Sequence, residues 1–298
     1  MKILLADGLC LEGQKILTDN GFDFDVQHYE LEDLVANIIK YDGIIVRSAT
    51  KVTREVIDAG KKLKAIARAG TGIDNIDHQY AKKKFIPVLN TPGANSASVS
   101  ELVFAHIFAL ARFIPESKRT MALGQWNKKQ FKGYEIFGKT LGIMGFGRIG
   151  HITARMALAF GMKVLAFDVA DIQTDMDVKV CSKEEVLKNS DFITIHVPKL
   201  GQPFIGENEL QSMKSGACII NCARGGVVNE KALMEALDKD VIAGAALDVW
   251  ENEPKFNPEL AKHPKVSATP HIGANTYDAL TRVGIQIAEK IVAELKKS

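Results

Sequence analysis

The stretch that decides the fold is Gly145-Phe146-Gly147-Arg148-Ile149-Gly150. It follows an apolar run at residues 140–144 and opens a predicted helix that ends near Phe160. Glycines permit a tight turn and a close approach of the main chain to a ligand, and a helix amino terminus presents free amides to a pyrophosphate. The glycine pattern alone would be weak, but strand, turn and helix together predict a dinucleotide site.

The acidic residue that completes such a site is Asp168. It follows the next apolar run, residues 163–167. A carboxylate at this point accepts hydrogen bonds from the hydroxyls of the adenosine ribose, whereas an adjacent arginine would favour a 2′-phosphate. Val169 and Ala170 follow Asp168 instead of an arginine. The sequence therefore predicts NAD rather than NADP.

Apolar strand patterns alternate with helical patterns along the chain. The candidate strands are residues 3–6, 24–27, 43–46, 65–67, 86–89, 140–144, 163–167, 192–196, 217–221 and 243–249. This alternation predicts parallel sheets, and the length of 298 residues favours two domains. We therefore expect an α/β fold of two doubly wound parallel-sheet lobes. One is a flavodoxin-like substrate-binding domain over residues 1–95, to which 273–298 returns, and the other is a Rossmann NAD-binding domain over 96–272.

Several helices have recognisable signatures. Leu31, Leu34, Val35, Ile38 and Ile39 have the spacing of a helix that faces a core. Residues 96–112 read as a longer apolar helix, and 182–185 have the Ser-x-x-Glu spacing of a capping box. A polar stretch broken by Pro115, Gly124 and Gly133 indicates a lobe junction, and a final helix is expected from about Asn275.

The composition narrows the class of protein. Hydrophobic residues make up 46% and charged residues 25%, as in a globular protein, and the net charge of +2 offers no general field for nucleic acid. The longest apolar run, residues 102–110, is interrupted by His106 and is too short to cross a bilayer. Four scattered cysteines indicate neither disulfides nor a metal site. We expect a cytoplasmic protein without membrane or nucleic-acid partners.

Three later segments place polar residues at the ends of apolar runs. They are Asn221-Cys222-Ala223-Arg224-Gly225-Gly226, Leu247-Asp248-Val249-Trp250-Glu251-Asn252-Glu253-Pro254 and Thr269-Pro270-His271-Ile272-Gly273. Taken singly, each has an ordinary structural explanation as a turn, a surface contact or an acidic loop. Together with the glycine turn they resemble the D-2-hydroxyacid dehydrogenase family over nearly the whole chain. Residues 46–53 and 68–75 give the closest resemblance, to its D-3-phosphoglycerate dehydrogenases.

The resemblance implies a catalytic set of three residues. His271 would remove the proton of the substrate hydroxyl while hydride leaves the same carbon for NAD, and Glu253 would be its carboxylate partner. An imidazole exchanges protons near neutrality, and a paired carboxylate favours its protonated form. Arg224 would bind the substrate carboxylate, for which a planar, permanently charged guanidinium is suited.

The resemblance also implies binding residues. Those expected at NAD are Thr71, Gly145, Gly147, Arg148, Ile149, Gly150, Asp168, Cys222, Ala223, Arg224, Asp248, His271 and Gly273, with a turn-capping role open for Asp248. Those expected at the substrate are Arg47, Arg68, Gly70, Thr71, Gly72, Asn95 and Lys128. The amides of residues 70–72 would meet the carboxylate, Arg47, Arg68 and Asn95 would serve a phosphorylated acid, and Lys128 would come from the partner of a homodimer.

The expected activity is the NAD-dependent oxidation of D-3-phosphoglycerate to 3-phosphohydroxypyruvate, the first step of serine biosynthesis. A glyoxylate or hydroxypyruvate reductase and a D-lactate dehydrogenase remain alternatives, as does an NAD-sensing binding protein of the co-repressor type. Two departures are evident: Val197 stands where larger members often have Thr, and nothing after residue 298 corresponds to their regulatory domains. The second departure predicts no serine feedback through such a domain.

Overall fold

The computed structural model describes residues 1–297. Its contacts divide the chain into two compact units. The first comprises Met1–Asn95 together with the segment that begins at Ala274, and the second is Ser96–Gly273. Each unit is a parallel β-sheet with helices on both faces, as the alternating sequence pattern predicts.

The strands of the described residues are short. They are β1 (Lys2–Leu5), β2 (Asp23–Val26), β3 (Gly43–Val46), β4 (Ala65–Arg68), β5 (Val88–Asn90), β6 (Thr140–Met144), β7 (Lys163–Phe167), β8 (Val178–Val180), β9 (Phe192–Ile195), β10 (Cys218–Asn221), β11 (Gly244–Leu247) and β12 (Val266–Ala268). All of their pairings are parallel.

The helices connect these strands. They are α1 (Leu11–Asp19), α2 (Leu31–Asn37), α3 (Arg54–Ala59), α4 (His78–Lys83), α5 (Ser96–Arg112), α6 (Ile114–Ala122), α7 (Arg148–Ala159), α8 (Lys183–Asn189), α9 (Glu207–Ser212), α10 (Glu230–Asp238), α11 (Pro258–Lys262) and α12 (Tyr277–Leu295). Two 3₁₀ turns, Ile38–Lys40 and Lys128–Gln130, complete the regular structure of the part described.

The first unit has five strands in the order β2-β1-β3-β4-β5. This is the flavodoxin-like order, in which the chain reverses direction between β1 and β3. Successive residues of a strand point to opposite faces, so Ile3 and Leu5 enter one core, with α12, while Leu4 enters the other. Because the central strands β1, β3 and β4 are covered on both faces, their sequences read as nearly continuous apolar runs.

The second unit has seven strands in the order β12-β11-β10-β9-β6-β7-β8. Here the chain reverses direction between β6 and β9. One face of the sheet packs on α5 and α7, and the other packs on α8, α9 and α10. In doubly wound sheets ligands bind beyond the carboxyl ends of the strands at such a reversal. This rule directs attention to the loops that follow β6 and β9, and in the first unit to those that follow β1 and β3.

The fold confirms two parallel α/β lobes but corrects several details. The strands β8 and β12 were not predicted, because Val178–Val180 and Val266–Ala268 are only three residues long and contain Lys or Ser. The prediction that the residues from Leu31 to Ile39 form one helix face turned toward the core is only partly right, since Leu31 is 46% and Ile39 48% exposed. The α-helix ends at Asn37 and a 3₁₀ turn carries Ile38 inward.

The stretch after α5 is less irregular than its sequence suggests. It contains α6, where Pro115 stands in the first turn and costs no hydrogen bond. The last helix begins at Tyr277, capped by the Thr276 hydroxyl, close to the predicted start at about Asn275.

Residues 1–297 contain no single helix that is long and apolar enough to span a bilayer. The bent pair α5 and α6 passes that test of length and composition together, and half of α5 is buried within its own unit.

The capping box predicted for α8 is present. The Ser182 hydroxyl accepts a hydrogen bond from the Glu185 amide at 3.2 Å, and the Glu185 carboxylate accepts one from the Ser182 amide at 3.1 Å. Ser182→Ala removes the hydroxyl, and we expect a loss of about 1 kcal/mol in the free energy of unfolding, measured by urea denaturation. Ser182→Asp retains a capping acceptor and should lie within about 0.5 kcal/mol of the wild type. Equal losses in both variants would contradict the assignment.

Candidate functional site

The glycine turn after β6 has the geometry that its sequence predicts. Gly145 has φ +96°, and a Cβ there would lie 2.8 Å from the carbonyl of His196, which follows β9. A Cβ on Gly150 would lie 2.5 Å from the Gly145 oxygen. Both positions therefore require glycine, one for the turn and one for the approach of α7 to the strand. Open space surrounds Gly147, where a Cβ would meet nothing within 4 Å.

The start of α7 can hold the pyrophosphate of NAD. The helix begins at Arg148 with Gly147 as its N-cap, and no side chain in the described part of the chain caps it. Its first amides, those of Arg148, Ile149 and Gly150, therefore remain available to an anion. A larger residue at position 147 would occupy this open space and obstruct the approach of the pyrophosphate to the amides. The residues present therefore fit the cofactor.

Asp168 connects the end of β7 to the glycine turn. Its carboxylate accepts hydrogen bonds from the Phe146 amide at 2.6 Å and the Ala170 amide at 3.0 Å. Two oxygens carry four acceptor positions, so the carboxylate retains capacity for ribose hydroxyls. Val169 and Ala170 follow it, so neither of the next two residues is a cation that could meet a 2′-phosphate.

Arg224 lies in the loop that follows β10. Asn221, the last residue of that strand, fixes the loop, because its side chain accepts a hydrogen bond from the Ala223 amide and donates one to the Arg224 carbonyl, each at 3.0 Å. A Cβ on Gly225 would overlap the Trp250 carbonyl, so the loop passes directly against the chain that follows β11. Cys222 and Ala223 are buried beneath it, and burial raises the pKa of the Cys222 thiol well above its ordinary value.

Asp248 fixes the segment that carries His271. It is 1% exposed, and its carboxylate accepts hydrogen bonds from the Thr269 hydroxyl at 2.6 Å and from the amides of Ile272 and Gly273 at 2.8 Å. Its main-chain oxygen accepts a hydrogen bond from the His271 amide at 2.7 Å. The carboxylate thus caps this turn, the role left open for it beside cofactor binding.

His271 and Glu253 form a hydrogen-bonded pair. Nδ1 of His271 lies 2.7 Å from Oε2 of Glu253, while Oε1 of Glu253 accepts the Trp250 amide at 2.8 Å. An ionised carboxylate only accepts hydrogen bonds, so Nδ1 carries a proton and Nε2 is the free nitrogen. The His271 side chain is 44% exposed, which leaves Nε2 accessible.

The electrostatics of the pair keep Glu253 ionised. Burial alone would raise its pKa, but hydrogen bonds from His271 and the Trp250 amide, with the charges of His271 and Arg224, outweigh burial and lower it. His271 itself has φ +54°, a left-handed conformation that is uncommon outside glycine and is often found at functional sites. The three residues predicted as catalytic therefore belong to one unit and influence one another.

The first unit contains a second group of predicted residues. Arg47 directly follows β3 and Arg68 ends β4, where Val46 and Arg68 are paired across the sheet. The carboxylate of Asp7, which follows β1, accepts the Arg47 amide at 2.6 Å and the Thr50 hydroxyl at 2.7 Å. A cavity of about 440 Å³ lies at this edge, between the loops after β1, β2 and β3, and Arg47, His28 and Gly8 line it.

The loop at residues 70–72 is held by asparagines. The Thr71 hydroxyl donates a hydrogen bond to the Asn95 side chain at 2.9 Å, and the Asn90 side chain donates to the Thr71 carbonyl at 2.6 Å. Gly70 has φ +149°, and a Cβ there would overlap the Arg68 guanidinium. The structure therefore groups Arg68, Gly70, Thr71 and Asn95, with Gly72 next in the chain.

Lys128 stands apart from these groups. It begins an exposed 3₁₀ turn after α6. Within its own unit no hydrogen bond or ion pair of the Lys128 side chain is found among the described residues. Its predicted role depends on a second copy of the chain.

A further cavity of about 530 Å³ lies at the opposite edge of the second sheet, where Asp191, Gly216 and Val266 line it. These residues stand at the amino ends of β9, β10 and β12, away from the glycine turn. Among residues 1–297 no group of three or more His, Cys, Asp or Glu side chains is arranged to hold a metal ion.

Sequence reasoning missed several residues of the site. Asn221, Thr269 and His106 each make hydrogen bonds that support Arg224 or Asp248. The sequence signal that could have identified them is a polar residue at the end of an apolar strand, as at Asn221, or within an apolar helix, as at His106. The partners of His106 and Thr269 lie far along the chain, which the sequence does not reveal, whereas Asn221 bonds within its own loop, whose conformation the sequence does not show.

Comparisons with known proteins agree with this geometry. The family model for the NAD binding domain of D-isomer specific 2-hydroxyacid dehydrogenases matches residues 104–273. A hydroxypyruvate reductase of Thermotoga maritima is 45% identical over 287 residues, which cover 95% of this chain and 94% of that protein. The D-3-phosphoglycerate dehydrogenase of Homo sapiens is 42% identical over 99% of this chain, which spans only 56% of its length.

Solved structures give the same result. D-lactate dehydrogenase from Aquifex aeolicus, complexed with NAD and lactic acid, has a TM-score of 0.86 and 30% identity, covering 100% of this chain and 96% of that one. A glyoxylate reductase from Paecilomyes thermophila has a TM-score of 0.89 and 29% identity, covering 99% and 95%. The chain therefore belongs to the D-isomer specific 2-hydroxyacid dehydrogenase family, as an NAD-dependent member.

Proposed function

We propose that this dehydrogenase oxidises D-3-phosphoglycerate to 3-phosphohydroxypyruvate, the first step of serine biosynthesis. The observation that supports the phosphorylated substrate is the cavity lined by Arg47. It lies at the reversal point between β1 and β3, where doubly wound sheets bind ligands. Among the described residues the Arg47 guanidinium makes no ion pair, so it is available to an anion.

A guanidinium suits a phosphate because its fork of donors matches two phosphate oxygens. His28, whose Nδ1 lies 3.3 Å from the Ala6 carbonyl and from the Asp7 carboxylate, lines the same cavity. Nδ1 therefore donates a hydrogen bond, while Nε2 lies 3.8 Å from the Glu30 carboxylate. Arg68 and Asn95 would complete the substrate contacts of this unit, with the amides of Gly70, Thr71 and Gly72 at the carboxylate.

The proton of the substrate hydroxyl goes to Nε2 of His271. Glu253 holds the ring in the tautomer that leaves this nitrogen free and stabilises the imidazolium that forms. Arg224 binds the substrate carboxylate and, in the reverse direction, polarises the carbonyl. NAD, when bound, accepts the hydride from the same carbon. The amides at the start of α7 and the Asp168 carboxylate would hold the cofactor, with Thr71, Cys222, Ala223, Asp248 and Gly273 as further proposed contacts.

A second candidate is hydroxypyruvate reductase. The reductase of Thermotoga maritima matches this chain over almost its whole length, whereas the phosphoglycerate dehydrogenases extend well beyond it. The two ketones, 3-phosphohydroxypyruvate and hydroxypyruvate, differ by one phosphate, so we propose the Arg47 cavity as the feature that distinguishes the two activities. A co-repressor-like binding role is disfavoured, because the His271–Glu253 pair would then have no chemistry to perform.

We also propose a homodimer formed through the arm at residues 113–137. Large apolar side chains are exposed along it: Ile114, Met121, Leu123, Trp126, Tyr134 and Phe137. Such a concentration marks a protein interface. Lys128 belongs to this arm, and we propose that it reaches the substrate of the partner. Four free thiols agree with a reducing cytoplasm.

The substrate proposal predicts a phosphate-dependent effect at Arg47. With NAD, D-3-phosphoglycerate should be oxidised with a higher kcat/KM than D-glycerate or D-lactate. Arg47→Gln should lower kcat/KM for the phosphorylated acid by about 10- to 100-fold, the value of a charged hydrogen bond, and leave D-glycerate within about twofold. Arg54→Gln, at an exposed arginine that opens α3, is the matched control. Equal rates on all three acids would refute the phosphorylated substrate.

The base assignment predicts a loss of turnover without a loss of cofactor. His271→Ala should lower kcat by about 10²- to 10⁴-fold, as expected when a general base is removed, while the Kd for NADH from fluorescence titration stays within about threefold. Glu253→Gln, which keeps an acceptor but loses the charge, should have a smaller effect on kcat. His78→Ala, at an exposed histidine of α4, serves as the control. Unchanged turnover of His271→Ala would remove this residue from the mechanism.

The interface proposal is tested by light scattering coupled to gel filtration. The wild type should elute with twice the mass of one chain. Replacing both Trp126 and Phe137 by Asp places two charges in the apolar arm, and should give a monomer at micromolar concentration. The double change Phe85→Asp and Tyr277→Asp, at exposed aromatics of the first unit, should leave the dimer intact. A monomeric wild type would contradict the proposal.

A further inference from the structure

We propose that His106, in the middle of α5, is a positioning residue that fixes the conformation of His271 through Thr269 and Asp248. The side chain is 2% exposed and does not face solvent. Nε2 of His106 lies 3.2 Å from the Thr269 hydroxyl, and Nδ1 lies 2.9 Å from the Ser267 hydroxyl. This role rests on the proposed function of His271 as the base.

The chemistry of the chain of contacts sets the direction of each hydrogen bond. Asp248 is a carboxylate that accepts the Thr269 hydroxyl proton at 2.6 Å. The Thr269 oxygen is then an acceptor for its second neighbour, so Nε2 of His106 must carry the proton. Nδ1 is consequently an acceptor and takes the proton of the Ser267 hydroxyl. Each donor of this network therefore has one acceptor. The Ser267 hydroxyl donates to His106, His106 donates to Thr269, and the Thr269 hydroxyl donates to Asp248.

This order requires a neutral His106. Burial lowers its pKa, against the opposing effect of the Asp248 charge, so the ring carries one proton at neutral pH. A neutral ring with its proton on Nε2 is a donor to Thr269 and an acceptor for Ser267. The buried charge of the network therefore resides on Asp248 alone.

The network ends at the turn that holds His271. Asp248 accepts the amides of Ile272 and Gly273, and its main-chain oxygen accepts the His271 amide. His271 has φ +54°, a conformation that costs free energy and persists only where surrounding contacts impose it. Thr269 stands at the entry to this turn, where its hydroxyl donates to Asp248 and accepts from His106, so that it links α5 to the turn.

The competing explanation is that His106 only fills space between α5 and β12. In that case any residue that preserves packing would serve, and its loss would reduce stability without a selective effect on kcat. A positioning role predicts instead that kcat depends on a hydrogen-bond donor at the place of Nε2, and depends less on an acceptor at the place of Nδ1. His106→Gln places an amide nitrogen near Nε2, whereas His106→Asn reaches only the place of Nδ1, and this pair separates the two explanations.

The test measures kcat, both KM values and thermal unfolding for these variants. We expect His106→Asn to lower kcat about 10- to 100-fold with both KM values within about threefold, and His106→Gln to retain at least about half of kcat. Ser267→Ala, which removes only the outermost hydrogen bond, should keep kcat within about threefold. Equal effects in Asn and Gln, or a lower Tm with unchanged kcat, would overturn the proposal.

Thr269→Val examines the same link without altering α5. It should lower kcat as His106→Asn does, and the two changes together should be no worse than Thr269→Val alone, because they interrupt one path. Thr269→Ser should restore kcat. Wild-type kcat in Thr269→Val would overturn the positioning role even where His106→Asn fails to fold. The two hypotheses fail separately. Unchanged turnover in His271→Ala would refute His271 as the base, whereas unchanged turnover in the His106 variants would refute only the positioning role of His106.

Discussion

The site of the second unit depends on one buried carboxylate. Asp248 follows a central strand of a parallel sheet, where an unpaired charge would cost several kcal/mol. The cost is offset because the chain after β12 turns back and supplies a hydroxyl and two amides to it. The same turn brings His271 to Glu253. Solvation of one charge thus determines where the His271 imidazole stands.

The glycine turn is also fixed by its contacts, but these are contacts of the main chain rather than of a buried charged side chain. Gly145 and Gly150 are fixed by backbone contacts that leave no room for a Cβ, whereas Gly147 borders open space. Asp168 holds the turn from the end of β7. The site is therefore made of main-chain donors with one carboxylate beside them. A parallel sheet brings these loops to one edge because all its strands end there.

Much of the fold could be read from local pattern. The strands at residues 43–46, 140–144 and 163–167 have the expected bounds, since buried parallel strands are continuous apolar runs. The short strands β8 and β12 were not predicted, because three residues are too few to show a recognisable apolar run. Leu31 and Ile39 were misplaced because helical spacing predicts which residues share a face but not where the helix ends.

The sequence by itself determined the fold class and the dinucleotide turn, because these depend on local residue types and their order along the chain, and its resemblance to the family supplied the prediction of Arg224, Glu253 and His271 as catalytic residues. Only the tertiary structure decided that Asp248 caps the turn of His271, that Asn221 holds the Arg224 loop and that His106 reaches Thr269. The contacts of Asp248 and His106 join residues that sheet order and helix packing bring together, and the contact of Asn221 depends on the conformation of the folded loop after β10. Buried polar groups take whichever partner the fold places beside them, and that partner has no signature in the local sequence.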